Sequence, residues 1–250
     1  MKFLKKNISI LFVVIVIASA LRLWNLGNVP ISPDWDEVAL GYNAFSIAET
    51  GKDEYGNSHP VVLRSFEDYK PALYSYITIP SIKIFGLNAF GVRLPSAILG
   101  ILSVLIVYFL IKYLLQRNDL ALLSSFLLAV APFHIQFSRT AFEANLGLTL
   151  NLLAITFFLV GLKKHKLLFF APIFSALSIY SYQSEKVFVP IMAIVLVVLF
   201  RKELLKVSKK YLFGSIIIGI VLCFPLIFVM TQSPESLTRV KGSRSLFNTQ

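Results

Sequence analysis

Charged residues are scarce in this chain of 250 residues: they make up 15% of it, while hydrophobic residues make up 56%. An ordinary soluble domain carries about 25% charged residues. The mean hydropathy of +0.74 points the same way. This composition excludes an ordinary soluble domain and predicts an all-α protein that crosses a membrane several times, as a single domain over residues 1–250.

Cysteine and histidine are also rare. Cys223 is the only cysteine and lies in an apolar run, which excludes an internal disulfide and predicts a small packing residue. The histidines, His59, His134 and His165, are scattered along the chain. Because a metal site needs several ligands close together, we expect no metal and no cofactor.

Acidic residues are few as well: 13 Asp and Glu face 24 Lys and Arg, for a formal net charge of +11. A basic chain of this kind can indicate nucleic-acid binding. Here, however, the basic residues form short clusters between apolar runs rather than one polar face, which is typical of membrane topology signals. We therefore expect no nucleic-acid partner.

Long apolar runs make up most of the remaining sequence and predict about seven transmembrane helices, at about 20 residues each. Three connections between the runs are basic, 112–117, 163–166 and 201–210. We expect the protein in the cytoplasmic membrane. Placing the basic connections in the cytoplasm places the N-terminus there as well and leaves the other connections outside. The predicted spans are 8–23, 91–111, 119–135, 145–162, 167–182, 187–200 and 211–230.

The first run permits a second interpretation. Basic residues followed by an apolar stretch that ends Ala18-Ser19-Ala20 also resemble a cleavable secretory signal. Because the apolar character continues to Leu26 and the rest of the chain is itself membrane-embedded, we favour an uncleaved signal anchor.

The segment from Pro71 to Phe85 is apolar but is not counted as a span. Counting it would invert every later connection and place all three basic clusters outside. The segment is short, carries polar side chains, and has Pro80 in its interior, which costs about 3 kcal/mol in a regular helix. We expect an interfacial helix, with Pro80 as a candidate break point.

An acidic pair, Asp36-Glu37, is the most informative polar feature of the predicted external loop, residues 25–90. Asp34 is a suitable N-cap with Glu37 three residues later, and Gly51 is a suitable stop, so the sequence predicts a helix between them. Both acids would lie in its first turn, where the helix dipole favours negative charge. Capping alone would explain them, but carboxylates beside a membrane usually serve chemistry.

The predicted helix has an apolar face formed by Val38, Tyr42 and Phe45. These residues follow helical spacing. We expect this face to rest on lipid or on the helical bundle.

Three cations fall on the same predicted external side as Asp36. They are Lys70 before Pro71, Arg139 after the third span and Lys186 before the sixth. Each one alone is explained by a side chain that reaches from a helix end to water. Arg139 could also pair with Glu143, four residues later. Three cations opposite one acid point instead to a site for a phosphate-linked substrate.

Such a site suggests transfer from a phosphate-linked donor. The acid would act as general base on an acceptor, and the cations would stabilise the departing phosphate. A donor outside the cell needs a lipid tether, such as a polyprenyl chain. Two other classes stay open: a carrier or flippase for a lipid-linked anion, and a noncatalytic scaffold. Transporters usually bind near the bilayer midplane, whereas these charges lie at span ends.

The sequence resembles the membrane glycosyltransferases with the GT-C fold. The resemblance is strongest between Pro33 and Ser103 and rests on Trp35-Asp36-Glu37, on Tyr69-Lys70-Pro71 and on the segment from Phe85 to Ala97. It is closest to the branch with the protein O-mannosyltransferases, the aminoarabinose transferase of lipid A and bacterial dolichyl-phosphate-mannose-protein mannosyltransferases. It implies a GT-C-like N-terminal module, a polyprenyl-phosphate sugar donor and a protein or lipid acceptor at the external face. An inverting transfer of a hexose or pentose is our leading hypothesis.

The resemblance also implies roles for individual residues. Asp36 would be the catalytic base with Glu37 shaping the site beside it, and Lys70 would contact the donor phosphate. Arg139 and Glu143 would belong to a polar cluster that binds substrate, and Lys186 would lie near the lipid phosphate.

The resemblance has two departures. Tyr69 stands where some relatives carry an acid before the lysine, which argues against a metal site taken from them. Family members are usually longer, so we expect a C-terminal truncation that removes much of the acceptor site.

Overall fold

The computed structural model describes residues 2–65 and 68–232, and most of them are helical. One antiparallel hairpin of two short strands, β1 (Val62–Ser65) and β2 (Asp68–Pro71), interrupts the helices. A 3-10 helix covers His165–Phe169. The α-helices in chain order are α1 Lys2–Leu23, α2 Trp35–Thr50, α3 Leu73–Phe85, α4 Ala89–Leu115, α5 Asn118–Val130, α6 Pro132–Arg139, α7 Glu143–Lys163, α8 Phe170–Ile179, α9 Glu185–Leu199, α10 Arg201–Leu204 and α11 Lys209–Gln232.

Several of these helices suit a membrane. Among the described residues, three are long and apolar enough to cross one: Ala89–Leu115, Glu143–Lys163 and Lys209–Leu226. The pair α5 and α6, bent by 57°, forms a fourth candidate. Two apolar helical stretches are shorter, Asn7–Leu23 and His165–Ile179. The prediction of an all-α membrane protein is confirmed.

The bend between α5 and α6 is stabilised by Arg22, at the end of α1. Pro132 has no N–H, so the carbonyl of Leu128 loses its helical donor. The Arg22 guanidinium donates to that carbonyl over 3.2 Å and to the carbonyl of Ala129 over 2.9 Å. A further contact of 2.7 Å joins it to Nδ1 of His134. The fully buried Arg22 therefore fixes α1 to the bend, a role that the sequence analysis missed.

Helix α2 begins and ends where the sequence predicts. The Asp34 carboxylate and the Glu37 carboxylate form the reciprocal capping box, with the Asp34 N–H donating to Glu37 over 3.0 Å. Gly51 ends the helix at φ 72°, a left-handed conformation that glycine adopts without strain. The caps hold the acidic pair in the first turn, as expected.

The two faces of α2 have different environments. Val38, Tyr42 and Phe45 are exposed rather than packed into the bundle, so of the two predicted surroundings lipid stays a prediction. Gly41 lies so close to Val92 of α4 that a side chain at that position would clash, and the face opposite the exposed one is buried in the core. This core contains Leu40, Ala44 and Ile47 of α2, Leu63 of β1, Tyr74 and Ile82 of α3, Val92 of α4, Ala141 from the connection between α6 and α7, and Leu146 of α7.

Helix α3 covers the segment that was excluded as a span. It has 13 residues, too few for the hydrocarbon core, and runs unbroken through Pro80. Pro80 lies on the exposed face of the helix. The opposite face packs against α2 and α4, and this packing offsets the lost hydrogen bond. The proposed break at Pro80 is therefore wrong.

The three basic connections lie at one end of the bundle, and the start of α7 lies at the opposite end. Lys163 at the end of α7 lies over the ring of Tyr113 at the end of α4, 5.3 Å from its centroid. Lys206, from the third basic connection, lines a cavity with both. The three basic connections thus meet at one end, and the start of α7 at Glu143 lies at the other, about 30 Å away at 1.5 Å per residue.

Candidate functional site

Three residues predicted for the site, Asp36, Lys70 and Glu143, line one cavity of about 240 Å³. They come from the first turn of α2, from β2 and from the first turn of α7. The structure thus brings together side chains that are 107 positions apart at the extremes. The other lining residues are Pro71, Phe137, Phe142, Ala144, Tyr182 and Gln183.

Asp36 and Lys70 form an ion pair. The hairpin places the lysine, because Lys70 pairs with the buried Leu63 in the register of β1 and β2. The Lys70 side chain is 7% exposed and that of Asp36 is 32% exposed, so the carboxylate faces the cavity more openly. Among the residues that the structure describes, the ammonium has no other polar partner. Its remaining N–H bonds are available to an anionic ligand.

Glu37 is occupied by protein contacts. Arg93 of α4 donates two hydrogen bonds of 2.9 Å, one to each carboxylate oxygen. The N–H groups of Ala141 and Asp34 donate two more, over 2.8 Å and 3.0 Å. Glu37 is 3% exposed and Arg93 1%. The carboxylate therefore ties α2 to α4 and to the connection between α6 and α7.

The guanidinium of Arg93 also binds the connection between α1 and α2. It donates to the carbonyls of Leu26 and Pro30 over 3.2 Å and 2.9 Å, and to that of Ser32 over 3.2 Å. It thereby holds the connection between α1 and α2, which leads directly to Asp36. No role was predicted for Arg93, although a charged residue inside an apolar run indicates a function or a buried partner.

Arg139 lies beside the cavity rather than in its wall. Its guanidinium donates to the carbonyl of Leu21 over 2.9 Å and to that of Val29 over 2.8 Å. Arg139 is buried. It is not among the described residues that line the cavity. The structure places Arg139 with Arg93 as a second clamp on the connection from α1 to α2.

Lys186 reaches the cavity through a neighbour. Its ammonium donates to the Gln183 side-chain oxygen over 2.6 Å, and the Gln183 amide donates to the carbonyl of Tyr69. Gln183 lines the cavity and Tyr69 precedes Lys70, whereas Lys186 is not among the described lining residues. The connection before α9 is thus linked to the strand that carries Lys70.

Aromatic side chains form much of the remaining wall. The rings of Phe137 and Phe142 have centroids 5.3 Å apart, and Tyr182 lies on the same cavity. Small-molecule sites usually combine apolar walls with a few polar groups that fix orientation. Phe137, Phe142, Tyr182 and Gln183 lie in the two connections that the topology placed beside Asp36, but the sequence did not single them out.

Tyr74 of α3 lies near Glu37 and Glu143 and is a neutral hydrogen-bond donor. Burial, with the nearby negative charges of Glu37 and Glu143, raises the pKa of its hydroxyl well above the ordinary value. The hydroxyl donates to the Val92 carbonyl over 3.0 Å. It joins α3 to α4 beneath the acids.

No metal-binding cluster is found in the part of the chain that the structure describes: nowhere in 2–65 or 68–232 do three or more His, Cys, Asp or Glu side chains converge. Lys70 is the cationic side chain among the described residues that line the cavity.

Comparison with known proteins gives two matches. Residues 69–228 match the family model described as dolichyl-phosphate-mannose-protein mannosyltransferase. A protein of Bacillus subtilis (strain 168) named "Putative mannosyltransferase YkcB" is 28% identical over 172 residues. That alignment covers 66% of this chain but 22% of the relative, so the chain spans a minor part of the relative's length. No solved structure matches.

Proposed function

This chain belongs to the dolichyl-phosphate-mannose-protein mannosyltransferase family, and we propose that it is a membrane glycosyltransferase that moves a sugar from a polyprenyl-phosphate donor to an acceptor. The observation that carries the proposal is the Asp36–Lys70 pair in the wall of the cavity. A buried ammonium with a single partner among the described residues suits a phosphate, and a partly exposed carboxylate suits a general base.

The two groups act in sequence. The donor phosphate competes with Asp36 for the Lys70 ammonium, which frees the carboxylate to accept a proton. The acceptor O–H then loses its proton to Asp36 while its oxygen bonds to C1 of the sugar. The bond from C1 to the phosphate oxygen breaks, and its electron pair leaves with the polyprenyl phosphate, whose charge Lys70 stabilises. This direct displacement inverts the configuration at C1, whether the sugar is a hexose or a pentose.

The other predicted residues have different parts in the proposal. Glu143 and Gln183 line the cavity and orient the sugar, and Lys186 supports Gln183 near the lipid phosphate. Glu37, held by four hydrogen bonds, positions Asp36 rather than exchanging protons. Arg139, also predicted to bind substrate, fixes the connection that leads to Asp36.

We further propose a bundle of about seven spans. In it, α1, the 3-10 helix with α8, and α9 join the four candidates that are long and apolar enough to cross a membrane. The basic end would face the cytoplasm together with the N-terminus, and the cavity would open at the external face of the cytoplasmic membrane. Apolar helices around the site would hold the polyprenyl tail. The acceptor is a protein, a lipid or a glycan.

The test follows a donor with separate labels on its sugar and its lipid. Vesicles containing the purified protein are given this donor and an acceptor fraction of membrane proteins and lipids. We expect the sugar label to become covalently attached to acceptor while the lipid label remains polyprenyl phosphate. A carrier or flippase would move both labels across the bilayer on one intact molecule, and that result would overturn the proposal.

A further inference from the structure

A second polar cavity lies between helix ends at the basic end of the bundle. It has a volume of about 350 Å³. Its polar lining residues are Tyr113 from α4, Lys163 from α7, and Glu203 and Lys206 from the connection before α11. A neighbouring cavity of about 470 Å³ shares Lys163 and adds Lys164, His165, Lys166 and Tyr211. We call the two cavities, which adjoin at Lys163, the basic groove, and the proposed transfer does not use it.

Two features distinguish this groove from lysines that merely reach into water. The Tyr113 hydroxyl is buried and has no hydrogen-bond partner within residues 2–65 and 68–232. The Lys163 ammonium is held over the Tyr113 ring, 5.3 Å from its centroid. A buried donor without a partner beside a fixed cation is an arrangement that an oxygen-rich anion completes.

The depth of the groove matches a lipid head group. Helix α7 runs from Glu143 at the proposed transfer cavity to Lys163 at the groove, a rise of about 30 Å. The hydrocarbon core of a bilayer is also about 30 Å thick. A groove at Lys163 therefore lies at the head-group level of the opposite leaflet.

The chemistry of the lining favours an anionic phospholipid over a free phosphate. Four lysines, Lys163, Lys164, Lys166 and Lys206, outnumber the single acid Glu203 along the groove. Its apolar walls, formed by Leu114, Leu159, Leu162 and Phe200, would contact acyl chains, which inorganic phosphate lacks. We propose that the groove binds the head group of an anionic phospholipid, with the phosphodiester between Lys163, Lys206 and the Tyr113 hydroxyl.

The test measures phospholipid binding to the purified full chain by native mass spectrometry. Phosphatidylglycerol should be retained more strongly than phosphatidylcholine, and excess inorganic phosphate should not displace it. Lys163→Gln and Lys206→Gln should each weaken phosphatidylglycerol binding about fivefold, and Tyr113→Phe should weaken it as well. The matched control is Lys202→Gln, a nearby lysine outside both linings, which should change little.

A second variant keeps the proposal testable if a lysine variant folds poorly. Glu203→Gln removes the one opposing charge and should strengthen phosphatidylglycerol binding. Equal binding of phosphatidylcholine, displacement by inorganic phosphate, or an equal loss in Lys202→Gln would overturn the proposal. In that case the lysines would serve only to set membrane orientation.

Discussion

Replacing Asp36 with Asn is expected to lower kcat for sugar transfer by roughly 10²- to 10⁴-fold, the usual contribution of a general base. The amide cannot take the acceptor's proton, although it has nearly the same shape. The KM for the donor should stay the same or fall, because Lys70 loses its competing carboxylate and keeps its place for the phosphate. Steady-state kinetics with a labelled donor measure both constants.

The split between kcat and KM separates catalysis from damage to the structure. A distorted cavity would raise the KM for the donor together with the loss of rate. Glu49→Gln is the matched control, since it makes the same change at an exposed acid on the same helix α2. Near-normal kcat in the Asp36 variant would rule this residue out as the base.

Replacing Arg93 with Met is expected to destabilise the fold by about 3–5 kcal/mol, the usual cost of breaking a buried ion pair. The change leaves the carboxylate of Glu37 buried without its cation and removes three hydrogen bonds to the connection between α1 and α2. The midpoint of thermal unfolding in detergent should fall clearly. Transfer should fall too, because Asp36 adjoins that connection.

Two comparisons identify the cause of this loss. The double variant Glu37→Gln with Arg93→Met removes both charges and should unfold at a higher temperature than Arg93→Met alone. Arg117→Met breaks an exposed pair with Asp119 and should leave the midpoint almost unchanged. An Arg93→Met variant as stable as the original protein would contradict the role assigned to this pair.

Local chemistry explains which parts of this fold were predictable. The ends of α2 depend on Asp34, Glu37 and Gly51, which act within a few residues of their own positions, so the sequence contains the whole signal. Loop charge also assigned the segments that carry Asp36, Lys70 and Glu143 to one side, because it sorts the connections of a helical bundle between its two ends, and in the structure all three residues line one cavity. The resemblance to the mannosyltransferase family was confirmed as well.

Contacts between distant segments account for the rest. Glu37 meets Arg93 across 56 positions, and Arg22 meets the carbonyls at the α5–α6 bend across more than 100. Neither pairing leaves a periodic pattern in the sequence. The hairpin that carries Lys70 was missed because its strands have 4 residues each, too short for a clear alternation. The close approach of Gly41 to Val92 is likewise a contact between distant segments and was not predicted.

The most direct measurement of the central claim is an experimental structure of the protein with a donor analogue whose sugar is joined to polyprenyl phosphonate and cannot be transferred. We predict that the phosphonate accepts a hydrogen bond from the Lys70 ammonium and that the sugar occupies the cavity between Asp36, Phe142 and Gln183. Binding of the analogue's phosphonate in the basic groove at Lys163, or at any other place away from Asp36 and Lys70, would contradict the account.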